Sequence, residues 1–91
     1  MQYPAGTSFT VNKTGLGRAP LPYKNYFFDG IYSIASIRKI NETVIYRFTI
    51  NGTTSTSLSC NSCSDMDKII AFCKNEPFIQ PIVQTADQEL P

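Results

Sequence analysis

Residues 43 to 60 read TVIYRFTI, then NG, then TTSTSLSC, and no other stretch restricts the fold as much. Val44, Tyr46, Phe48 and Ile50 alternate with Thr43, Ile45, Arg47 and Thr49. A period of two in β-branched and aromatic residues predicts a half-buried strand. Asn51-Gly52 separates this run from a second one rich in Thr and Ser. Both residues tolerate positive φ, so the pair between two extended runs predicts a β-hairpin.

Loop length decides which side chains share a face, because a one-residue slip inverts a strand. A two-residue loop would pair Tyr46 with Ser57 and set Leu58 opposite Ile45. A three-residue loop of Ile50, Asn51 and Gly52 would instead pair Val44 with Leu58, Tyr46 with Thr56 and Phe48 with Thr54. Gly52 would then take the left-handed conformation. The second form is favoured because it brings Leu58 onto the face of the rings.

Around the hairpin, Thr7 to Asn12 (TSFTVN) is a short strand candidate with Phe9 and Val11 on one face. Lys13 to Pro22 (KTGLGRAPLP) holds two glycines and two prolines and reads as a loop. Tyr23 to Asp29 packs four aromatics into six residues, as an edge strand or as an irregular segment across the core, with Gly30 a bend or bulge. Ile31 to Ile40 has apolar residues on both parities, which predicts a strand buried on both sides near its middle. Asn41-Glu42 makes a tight turn from it into the strong strand.

Ser62 to Asn75 is the predicted helix. Ser64 can cap it with Asp67 as its partner, or Ser62 with Asp65. Met66, Ile69, Ile70 and Cys73 form one stripe, with Phe72 beside it and Ala71 and Lys68 outward. Pro77 forbids continuation. So short a helix does not persist alone, so it must dock on the sheet. Phe78 to Gln84 reads as a brief edge strand or packed tail, and residues 1–6 and 85–91 as flexible. The expectation is a single α+β domain over 1–91: a small antiparallel sheet of three or four strands, open or partly closed into a barrel, packed against one C-terminal helix.

For function, elimination does most of the work. The chain has no histidine, which removes the usual proton carrier at neutral pH. Carboxylates are few, and Asp65 and Asp67 are explained by helix capping. Gly15-Leu16-Gly17 lacks the lysine and hydroxyl partners of a phosphate loop. These features predict a non-enzymatic chain without a cofactor. Cys60-x-x-Cys63 has the spacing of a redox pair or half a zinc site. Zinc takes four ligands, and three cysteines without histidine fall short. No metal is expected, and Cys60 and Cys63 stand as candidate redox thiols.

Protein binding is left as the leading expectation. The loop and aromatic segment 13–28 supplies the surface, with Arg18, Tyr23, Tyr26 and Phe27 as its contact residues and a homodimer as one form of it. The alternative is single-stranded nucleic acid on a basic, aromatic sheet face of Tyr32, Arg38, Lys39 and Arg47. A net charge of +1 counts against it. That charge is uneven, however. Lys13, Arg18, Lys24, Arg38, Lys39 and Arg47 outweigh Asp29 and Glu42 in residues 1 to 50, whereas acids dominate the remainder. A dipolar surface with one anion-friendly region follows. No stretch is apolar enough to cross a membrane, and no basic segment leads into an apolar run at the start, which predicts a cytoplasmic protein. The Asn-x-Thr triplets at Asn12, Asn41 and Asn51 are then turn residues, not modification acceptors.

Overall fold

A computed structural model describes residues 1–78 of the chain. It contains β1 (Ser8–Val11), α1 (Lys13–Gly17), a 3-10 turn (Lys24–Tyr26), β2 (Gly30–Ile40), β3 (Thr43–Ile50), β4 (Thr54–Cys60) and α2 (Cys63–Lys74). The strands form one antiparallel sheet in the order β1-β2-β3-β4. This is the expected α+β arrangement. The sheet is open, with β1 and β4 as its edges among the described residues.

The rings hold it together. Phe9 of β1, Tyr32 of β2 and Phe48 of β3 project from one sheet face, and Phe27 joins them from the connection before β2. All four are buried, and every pair among them lies with ring centroids 5.3–6.4 Å apart. Tyr46 stacks on Phe48 at 5.9 Å. Most of these pairs are tilted or edge-on, the geometry the ring quadrupole favours. Met66, Ile69 and Ile70 of α2 complete the core from above.

β2 keeps a continuous core face despite its mixed parity. Its pairing with β3 shifts between Ile34 and Ser36, so Ile34 faces Phe48 and Ile37, three residues on, faces Tyr46. A bulge of this kind adds one residue and restores the face. The bulge, and not burial on both sides, explains the apolar pattern; Ile31 and Ile40 are exposed.

The β3–β4 hairpin takes neither proposed register. Tyr46 pairs with Leu58, Val44 with Cys60 and Ile50 with Thr54, so the loop is Asn51, Gly52 and Thr53. Leu58 does share the face of the rings. Ile50 stays in the ladder because β2 holds it there. It pairs with Tyr32, and Asn51 N–H donates to Ile31 O at 2.7 Å. The Asn51 side chain accepts from Ile31 N–H at 2.9 Å. Asn51 and Gly52 both have positive φ, as a tight primed turn requires.

Three local expectations change. Lys13 to Pro22 is not all loop, since Lys13–Gly17 is a short helix. Asn12 caps it by accepting from Gly15 N–H, Asp29 accepts from Lys13 N–H, and Leu16 is buried beneath it. These contacts outweigh the roughly 1 kcal/mol that each helical glycine costs. Residues 1–6, expected as flexible, make contacts with the rest of the fold. Gln2 N–H donates to Asp67 at 2.8 Å, Tyr3 is buried, and Gly6 N–H donates to Ile34 O at 2.8 Å. In α2 the cap is Ser62, whose hydroxyl accepts from Asp65 N–H. Asp67 is thereby free for Gln2, and Ala71 is buried rather than outward. The helix ends at Asn75 in the left-handed conformation, two residues before Pro77. Residues 79–84 of the expected tail, and 85–91, lie outside the described residues.

If the rings carry the core, Phe48→Ala should cost about 3–5 kcal/mol. A domain this size holds only about 5–10 kcal/mol in total. The urea midpoint, read by tryptophan-free near-ultraviolet circular dichroism, tests it, and a loss below about 1 kcal/mol would contradict the assignment.

Candidate interaction surfaces

Segment 13–28 divides into an inner and an outer side. Leu16, Ala19 and Phe27 point inward and are buried. Tyr26 and Phe28 point outward at 66% and 61% exposure, and Arg18 is exposed as well. Of the four expected contact residues, Phe27 is therefore a core residue and offers no surface. Tyr23 is half-buried and anchors the segment. Its hydroxyl accepts from Asn61 N–H at 3.3 Å, and its ring lies 6.3 Å from that of Tyr26. Tyr23 sits at φ 63, which a bulky side chain rarely adopts. Lys13 ties the far end down, donating to Phe27 O and lying 4.5 Å over the Phe28 ring.

Where this segment crosses α2 it leaves an apolar groove of about 350 Å3. Ala19, Pro20 and Leu21 form one wall, and Ala71, Phe72 and Phe78 the other. Lys68 and Glu76 add opposite charges to the lining. Phe72 is 47% exposed, a large ring left uncovered on a helix otherwise buried on its inner face. The sequence shows Phe72 beside the helical stripe. It gives no sign that Ala19 to Leu21 would cross there, because that contact joins segments some fifty residues apart.

The second surface is the sheet face opposite α2. The expected nucleic-acid set does not assemble on it. Tyr32 is in the core, and Lys39 pairs with Val44 on the α2 side. Arg38 and Arg47 do share the open face, paired with Ile45 on one row and with Ser36 and Ser57 on the next. No aromatic residue of the four strands lies on it, so the stacking half of the nucleic-acid reading is lost.

The thiols are free. Cys60 is buried and donates to Val44 O and Ser62 O at 3.5 and 3.4 Å. Burial, then the nearby Asp65 carboxylate, pushes its pKa up to about 11. A redox thiol needs the opposite shift. Cys63 opens α2 beside the buried Tyr46 hydroxyl, whose ionisation is opposed first by burial and then by that thiol. Burial also raises Cys73 to about 11. No group of three or more metal-binding side chains occurs among the described residues.

Tyr3, raised to about 12 by burial and then by its hydrogen bond to Glu76, belongs with these thiols as a group held neutral by the fold. The unfolded chain releases such protons near the ordinary values of 9.0 for thiols and 10.0 for tyrosine. Between those values and the folded ones, the unfolded state binds fewer protons, so stability falls as pH rises. Melting temperature should hold steady up to pH 9 and drop between pH 9 and 12. A flat profile across that window would show that these groups are not sequestered.

No protein-family model, curated protein or solved structure matches the chain, so its function is argued from these surfaces.

Proposed function

We propose that this chain is a non-enzymatic protein-binding domain whose contact surface joins the α2 groove to the outer side of segment 13–28. The observation that carries the reading is the groove. It is lined by apolar side chains with one positive and one negative residue among them, and by the exposed ring of Phe72. Such a concavity suits one or two large apolar side chains of a partner, with Lys68 and Glu76 orienting polar groups beside them. Arg18, Tyr23 and Tyr26 extend the surface past the wall formed by Ala19 to Leu21. Tyrosine and arginine are enriched at binding hot spots, because each combines a broad apolar body with polar atoms.

The wall itself is well supported. Lys24 donates to Gly17 O and Ala19 O at 2.8 Å, which ties the crossing segment to its own start. A preformed wall lowers the ordering cost of association.

Affinity capture from the native host, comparing the full chain with Phe72→Ser, tests the reading. The variant should fold with a stability change within about 1 kcal/mol, since the ring is half exposed. It should lose the captured protein by about tenfold or more. Equal capture by both proteins, with equal melting temperatures, would remove the groove from the contact.

A further inference from the structure

We propose that the open face of the sheet holds a phosphate-type oxyanion between Arg38 and Arg47. The site is independent of the α2 groove and lies on the opposite side of the sheet. Its centre is a shallow hollow of about 180 Å3 lined by Ser36, Arg38, Ile45, Arg47 and Ser57.

The β2 bulge builds this hollow. Its extra residue falls between Ile34 and Ser36, which sets Ser36 directly opposite Arg47. Arg47 also faces Ser57 on β4, giving the row Ser36, Arg47, Ser57 across three strands. Arg38 faces Ile45, two residues from Arg47, so the guanidinium side chains are diagonal neighbours on one face. That spacing, roughly 7–8 Å, brings two long side chains within reach of one ligand. Bulges commonly re-aim side chains in this way beside functional sites.

The charge on this face is uncompensated. Neither guanidinium has an ion-pair or hydrogen-bond partner among the described residues. The open-face strand positions are Ser, Thr, Ile, Ala and Arg, without a carboxylate. The acids of the described residues stand elsewhere. Asp29 accepts from Lys13 N–H, Asp67 from Gln2 N–H and Glu76 from the Tyr3 hydroxyl. Asp65 is in the first turn of α2, and Glu42 lies in the turn beyond the Ile40–Thr43 pair. Two like charges side by side are unfavourable alone, and an anion between them reverses the sign.

The donor set selects the class of anion. Two planar forks and two hydroxyls can serve three or four oxygens at once, which fits a phosphate group better than a single carboxylate. Ile45 supplies an apolar wall in place of a stacking ring. Recognition is thus of the phosphate and not of a base. The group can come from a small phosphate ester or from a nucleic-acid backbone, and the experiment separates these sources.

The full chain, labelled with 15N, is titrated at low salt with inorganic pyrophosphate and, separately, with a short oligothymidylate. Saturable amide shifts centred on Ser36, Arg38, Ile45, Arg47 and Ser57 are expected from at least one probe. Arg38→Gln and Arg47→Gln should each weaken that binding by about tenfold. Unmoved amide positions in α2 will show that both variants keep the fold. Oligothymidylate binding tighter than pyrophosphate, with a log–log salt slope of about −0.7 for the one phosphate held, supports the site with a single-stranded backbone as source. Pyrophosphate binding as tight or tighter supports it with a small phosphate ligand. The proposal is overturned if neither probe shifts these residues, if the shifts centre elsewhere, or if the double variant binds both probes as tightly as the natural chain.

Discussion

Four rings in mutual contact, Phe9, Phe27, Tyr32 and Phe48, set the rest of this molecule. Three come from adjacent strands, and their packing fixes which face of the sheet turns inward. The fourth comes from an irregular connection that has no ladder of its own. Burying Phe27 therefore decides where that connection runs. Its backbone is held as well, since Phe28 N–H donates to the Tyr32 hydroxyl at 3.0 Å. With Phe27 inside, its neighbours Tyr26 and Phe28 are left outside. The exposed aromatic surface is a consequence of the core and not a separate feature.

The same packing separates the two faces chemically. α2 and the first residues cover one face, and Asp29, Asp67 and Glu76 are used there or in the connections as hydrogen-bond acceptors. The other face is covered by nothing among the described residues and keeps its two arginines unpaired. Two of the arginines, Arg38 on β2 and Arg47 on β3, therefore meet on the open face, whereas Asp65 and Asp67 stand on α2 across the sheet.

The cysteines illustrate how burial overrides spacing. Cys60-x-x-Cys63 before a helix resembles a redox arrangement, because a helix start favours a thiolate. In the fold Cys60 ends β4, pairs with Val44 and is sealed from water, and desolvation dominates. The charged groups that act on it are the carboxylates of Asp65 and Asp67 and the Cys63 thiol, all of which disfavour a thiolate. The spacing records a strand end and a helix start three residues apart.

Local chemistry was sufficient for β3, its hairpin and α2. The period of two marked β3, Asn51-Gly52 marked the hairpin, the stripe from Met66 to Cys73 marked α2, and Pro77 marked its limit. These signals depend on neighbours within a few residues, and backbone conformation there is decided by the same neighbours. Tertiary contact decided what propensity leaves degenerate. The hairpin register followed from the hold of Ile31 on Asn51. The α1 turn formed around buried Leu16 in a segment whose glycines and prolines favour a loop. Tyr32 and Phe27 went inside, whereas Arg38 and Arg47 met on one face through a bulge that no single-strand pattern reveals. Each of those outcomes depends on groups from different elements competing for the same buried volume or the same ladder, and such competition is resolved only once the chain has closed on itself.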